Sequence, residues 1–143
     1  MVPALRSVSA VLVLAAAAAC VERVPDNQAF DTAFTETADL FVEYRLPNSM
    51  GRPPAFDLDR HLREVEARRR EVSRIFHSPA GVQFVTARIQ DEPDELVVLA
   101  GLEILSESRH RSAIPVFEHL SKSSSPVVAE WAQRYLVEAA AWP

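Results

Sequence analysis

The sequence predicts an all-α fold. Three observations carry that prediction. Apolar residues recur at spacings of three and four through the segments beginning at residues 30, 57 and 126, which is the period of one helical face. Proline follows Ser78, Glu92 and Ser125, so it falls at a first helical position, where its missing N–H costs nothing. A shift of 32 residues lays the apolar positions of 82–104 onto those of 114–136, which reads as one helical pair repeated.

Residues 1–19 stand apart from the fold. Arg6 is the single charge ahead of Val-Leu-Val-Leu-Ala-Ala-Ala-Ala-Ala-Cys at 11–20. A charged start, about ten apolar residues and a small-residue end form a secretory signal, too short for a membrane span. Ala17-Ala18-Ala19-Cys20 resembles the lipobox of bacterial lipoproteins. That resemblance implies cleavage before Cys20 and acylation of its thiol. With Val21 next, it implies sorting to the periplasmic side of the outer membrane. The same letters fit an ordinary Ala-x-Ala cut after Ala19, giving a secreted or soluble periplasmic protein with a free thiol at Cys20. Cys20 is the only cysteine, so packing alone must hold the fold. Removal of 1–19 leaves 124 residues, enough for one domain, with 14 basic and 20 acidic residues and a net charge of −6. Such an acidic chain argues against nucleic acid or anionic lipid surfaces as partners.

Residues 20–28 read as a tether. The eight residues from Val21 to Gln28 include Pro25 and span at most roughly 25–30 Å. A first helix is expected over 30–45, with Phe30, Phe34, Thr37, Phe41 and Tyr44 on its core face. Leu46-Pro47 ends it. The stretch 48–54 concentrates Asn, Ser, Gly, Arg52 and two prolines, which is loop chemistry. A second helix is expected from Asp57, an N-cap, to about Phe76. Its seam is Leu58, Leu62, Val65, Val72 and Phe76, and Arg69 stands where an apolar residue belongs. We expect the seam to be open at Arg69; the alternative is an acidic partner reaching it. Glu64/Arg68 and Glu66/Arg70 are spaced for i,i+4 ion pairs. These two helices make an N-terminal region, 29–77.

Four helices are expected in 78–143, at about 79–90, 93–106, 113–121 and 126–141. Ser78 and Ser125 are suited to cap two of them, and Ser112 a third. From Leu96 to Leu105 only Glu103 is neither apolar nor glycine, so this helix should be covered on several sides. Ala113-Ile114-Pro115-Val116-Phe117-Glu118-His119-Leu120 and Ser125-Pro126-Val127-Val128-Ala129-Glu130-Trp131-Ala132-Gln133-Arg134-Tyr135-Leu136 resemble the two helices of a HEAT-like repeat. The resemblance implies a short alpha-solenoid over 79–141, with 30–45 and 57–77 as a divergent cap, and a role in binding other proteins. Serines 121 and 123–125 replace the usual inter-helix Asp. A non-repetitive helical bundle is the alternative.

No catalytic set emerges. The four histidines, at 61, 77, 110 and 119, lack ligand spacing, and no cysteine can join them on zinc. The serines fit neither Gly-x-Ser-x-Gly nor Ser-x-x-Lys. Glycines at 51, 81 and 101 are too dispersed for a phosphate loop. Asp91-Glu92-Pro93-Asp94-Glu95 lacks EF-hand spacing and reads as an acidic helix start. No cofactor, metal or catalytic residue is therefore expected. The chain reads as a lipid-anchored, non-catalytic interaction module of the bacterial envelope, held at the membrane through Cys20. Its partner would be an envelope or periplasmic protein. Candidate contacts are Arg88, Glu118 and His119 on the first helices of the pairs, or Arg52 in the 47–56 loop. The alternatives are an enzyme or accessory subunit acting on envelope polymers, and a self-associating structural lipoprotein.

Overall fold

The structure is a computed structural model, and it describes residues 27–47, 52–53 and 55–143. Residues 1–26, including Cys20, and residues 48–51 and 54 lie outside the described residues. The protein is all-α. The described residues form six helices: α1 (Asn27–Arg45), α2 (Leu58–Ser73), α3 (Pro79–Gln90), α4 (Glu95–Ser108), α5 (Ile114–Leu120) and α6 (Pro126–Ala139). Short 3-10 turns at Arg74–His77 and Arg111–Ala113 precede α3 and α5.

Helix starts follow side-chain chemistry. Asp57 accepts from Arg60 N, Ser78 from Gly81 N and Ser125 from Val128 N, each satisfying an otherwise orphaned donor. Pro79 and Pro126 occupy the first turns of α3 and α6. Two expected starts fall elsewhere. Asp94, not Pro93, sets the start of α4, because its carboxylate accepts from Leu96 N. Ser112 does not cap α5: its hydroxyl pairs with His110 Nδ1, and the chain enters α5 through a 3-10 turn instead. Helix α4 ends at Arg109, whose φ of 51° is left-handed. That conformation is strained for a residue with a Cβ.

Helices α1 and α2 form an antiparallel hairpin. Arg68 Nε donates to Glu36 at 3.0 Å near one end, and His61 Nε2 lies 3.0 Å from Glu43 near the other. Phe30, Phe34 and Phe41 are buried as expected, with Thr37 Oγ1 donating to Ala33 O at 2.7 Å. Tyr44 departs from the expectation. It is exposed, one turn past the point where α1 leaves the core. The expected Glu64/Arg68 pair also does not form: Glu64 pairs with Arg60, and Arg68 reaches Glu36 and Glu71.

The core is centred on α4, which packs against α1, α3, α6 and the 74–77 turn. Seven of its residues are buried, Val98 through Leu102 with Ile104 and Leu105. A helix apolar on all sides needs neighbours on all sides, and α4 has them. At one end, Phe30, Phe34, Phe76 and Phe84 form an aromatic cluster, with Phe30 and Phe76 stacked at 5.7 Å. Two glycines allow the close approach. A Cβ on Gly81 would overlap Phe76 Cα and lie 2.8 Å from Ile75 O, and a Cβ on Gly101 would overlap the Ile89 side chain.

Candidate functional site

The largest departure from the sequence expectation is Arg69. The seam of α2 is not open there. The Arg69 side chain is 1% exposed, the largest fully buried side chain among the described residues. Its guanidinium forks onto Glu66, through Nε at 2.9 Å and Nη2 at 2.8 Å. It also forks onto Glu107 of α4, through Nη2 at 2.6 Å and Nη1 at 3.3 Å. Glu103 Oε1 lies 3.2 Å from Nη2. Only a planar, delocalised cation can bind two carboxylates bidentately in this way, so lysine is no substitute.

The three glutamates place one oxygen each within 4.8 Å of one another, a spacing that a metal ion could bridge. Arg69 already supplies the cation at that point. The group is therefore an internal salt cluster joining the α1–α2 hairpin to α4. Its electrostatics are uneven. For Glu66, burial pushes the pKa up, but the Arg69 hydrogen bonds and charge outweigh it and hold it below the ordinary value. For Glu103, burial dominates over the Arg69 and Arg45 charges and raises the pKa. Glu103 Oε2 is buried without a hydrogen bond, with Arg45 Nη2 at 3.7 Å. Burial of Arg69 works against its charge, yet its carboxylates raise its pKa further, so it stays protonated.

The expected contact residues fall in different places. His119 lines two adjoining clefts. One, of about 530 Å³, lies where the α3–α4 and α5–α6 turns meet, with Glu92, Glu95, Lys122 and Ser124 on its rim. The other, about 190 Å³, runs between α3 and α5 over Thr86, Pro115 and Val116. Gln90, His119 and Leu120 belong to both, so they form one groove across the first helices of the two C-terminal pairs. Glu118 is exposed beside this groove but does not line it. Arg88 does not line the groove: its guanidinium lies over the Phe34 ring at 5.4 Å and pairs with Glu92. That pair and the Asp94 N–H lower the Glu92 pKa.

Arg52 is engaged within the hairpin. It pairs with Glu43 at 2.5 Å and stacks over Phe56 at 4.5 Å. His61 shares the same Glu43 oxygen, and together the His61 and Arg52 hydrogen bonds lower the Glu43 pKa. Arg52 therefore braces the connection between α1 and α2, and a partner would have to displace Glu43 to use it.

The histidines do not converge. His61 meets Glu43, His110 meets Ser112, and His77 and His119 are exposed at separate positions. No hydrogen bond joins His119 to the carboxylates on the groove rim among the described residues. The signal that sequence reasoning missed is a complementary pair. Arg69 is the one charge on the seam of α2, and Glu103 is the one charge in the apolar stretch of α4. Each is an anomaly alone, and together they specify a contact. The chain matches no protein-family model, no curated protein and no solved structure.

Proposed function

We propose that this chain is a lipid-anchored, non-catalytic adaptor of a bacterial envelope, with α3–α4 and α5–α6 as two HEAT-like pairs behind a divergent α1–α2 cap. The observation that carries the reading is the sequence at 11–20. The only cysteine ends an apolar, alanine-rich run at the one position where a lipobox requires it. Six residues separate Cys20 from Asn27, the first residue of α1, so an acylated Cys20 would hold the domain within about 25 Å of the bilayer.

Packing of α3 on α4, α5 on α6 and α4 on α6 supports the repeat reading, since stacked pairs bury the second helices against each other. The groove through Gln90, His119 and Leu120 is the surface we assign to the envelope partner. It lies across the first helices, is open to solvent, and combines apolar Val116 and Pro115 with polar rims. Anchoring raises the local concentration of that surface at the membrane, which lets a modest groove suffice.

Expression of the full chain and of Cys20→Ser in a two-membrane bacterium tests the anchor. The unaltered chain should incorporate labelled palmitate and sediment with membranes. Cys20→Ser should lose both properties while keeping its helical circular dichroism. Membrane association that survives Cys20→Ser, with no label in either chain, would sink the reading.

A further inference from the structure

We propose that the outer face of α6 is a two-fold interface with a second copy of this chain. The face is defined by Val127, Glu130, Arg134 and Val137, all exposed, at spacings of three, four and three. Val137 is 77% exposed and Val127 46%, the first and third most exposed large apolar side chains described, on a helix whose other face is buried. The Glu130 and Arg134 side chains are 72% and 56% exposed and meet only loosely, at 3.5 Å.

The order of these four residues makes the face complementary to itself. Two α6 helices laid antiparallel about a two-fold axis near residue 132 bring Val127 opposite Val137 of the other copy. The same operation brings Glu130 opposite Arg134, and each contact occurs twice. Opposed residues in an antiparallel pair have a constant sum of sequence numbers, and both pairs satisfy the same sum. A parallel arrangement would instead oppose Glu130 to Glu130 and Arg134 to Arg134. The sequence of charges thus selects the antiparallel pairing, and the valines flank it with apolar contacts at both ends.

The size of the face sets its strength. Fourteen residues of helix extend about 21 Å, and a single helix pair buries less than the roughly 1,200 Å² typical of stable complexes. The contact is therefore weak in dilute solution and strengthens wherever copies are concentrated. The inference stands on α6 alone and does not depend on acylation of Cys20.

Cysteine crosslinking tests the pairing. Full chains carrying Cys20→Ser with either Val127→Cys or Val137→Cys, each with its own tag, are purified and oxidised separately and as a mixture at about 1 mM, where a weak dimer is populated. The mixture should give mixed-tag dimers at about tenfold the yield of either variant alone. Adding Glu130→Arg to both should cut that yield by about tenfold, as two symmetric ion pairs become repulsive. Adding Arg134→Glu as well should restore it. Helical circular dichroism on every variant separates a lost contact from a lost helix. Equal crosslinking of Val137→Cys with itself, no crosslinking at all, or a mixed yield indifferent to Glu130→Arg in folded protein would overturn the proposal.

Discussion

Replacing Arg69 by methionine isolates the salt cluster, because the volume is nearly kept while the charge and five donors vanish. Glu103 would retain Arg45 at 3.7 Å, and Glu66 would retain Arg70 at 2.9 Å. Among the described residues, Glu107 would keep only the Ser73 hydroxyl, at 3.4 Å. Removing one partner of a buried pair costs about 3–5 kcal/mol. A second route gives a similar figure. Glu103, its pKa already raised by burial and then without the lowering Arg69 charge, can escape by taking up a proton, which at pH 7 costs about 3.7 kcal/mol for an unfolded-state pKa near 4.3. At pH 5 the same protonation costs only about 1 kcal/mol. The deficit of Arg69→Met should therefore be about 3–4 kcal/mol at pH 7 and shrink by 2 kcal/mol or more at pH 5.

The sign follows from linkage. In the variant Glu103, its pKa raised by burial, loses the Arg69 charge that opposes that rise, so its stabilising proton is held at low pH and lost as pH rises. In the native chain Glu66 is shifted the other way, below 4.5. Its contribution is present above the unfolded value and fades only as pH falls through the lower folded one, so the native chain changes little between pH 7 and 5 on this account. Urea unfolding followed by circular dichroism at both pH values reads the difference directly. At roughly 4 °C per kcal/mol for a domain of this size, the melting midpoint should fall by about 12–16 °C at pH 7. A deficit below 1 kcal/mol at pH 7, or one that does not narrow at pH 5, would refute the assignment of Arg69 as the neutralising cation.

Further outcomes follow from the same geometry. Glu103→Gln should cost less at pH 7 than Glu66→Gln, by about 1–2 kcal/mol in urea unfolding, because burial disfavours the Glu103 charge while Glu66 is fixed by a bidentate fork. Arg109→Gly should raise stability by up to about 1 kcal/mol, since glycine adopts the left-handed φ without strain; a loss would show that the Arg109 side chain matters more than its backbone. Gly81→Ala should destabilise by about 1–3 kcal/mol, because the methyl meets backbone at Phe76 and Ile75 that cannot rotate away. Asp57→Ala should lower stability by about 1 kcal/mol through loss of the bond to Arg60 N, measured as a shift in the urea midpoint at unchanged slope.

The helices were legible because their determinants are local. Ser78 with Pro79 and Ser125 with Pro126 define helix starts within four residues, and α3 begins where they predict. The phenylalanine spacing of α1 and the unbroken apolar run of α4 announce which surfaces must be covered. The misplaced starts at Pro93 and Ser112 arose where two nearby groups competed for one role, Asp94 against Pro93 for the α4 N-terminus and His110 against the helix for the Ser112 hydroxyl.

Sequence by itself determined six amphipathic or buried segments, an acidic chain with one cysteine, and the want of spacing for any familiar catalytic set. It also determined the order Val127, Glu130, Arg134, Val137 on α6, although only the fold shows that this face is left uncovered. Tertiary structure alone decided the fate of the charges. Arg69 and Glu107 are 38 residues apart, and no local spacing links them. Periodicity states that a position faces inward; it does not state what waits there. A charge at such a position is tolerable only if a distant element delivers its partner, and that delivery depends on α1 and the 74–77 turn packing against α4, which brings α2 within side-chain reach of it. The same reason accounts for Arg52 and Arg88, which as sequence were exposed cations available to a partner. In the fold they are already committed, one to Glu43 and the other to Glu92 and the face of Phe34.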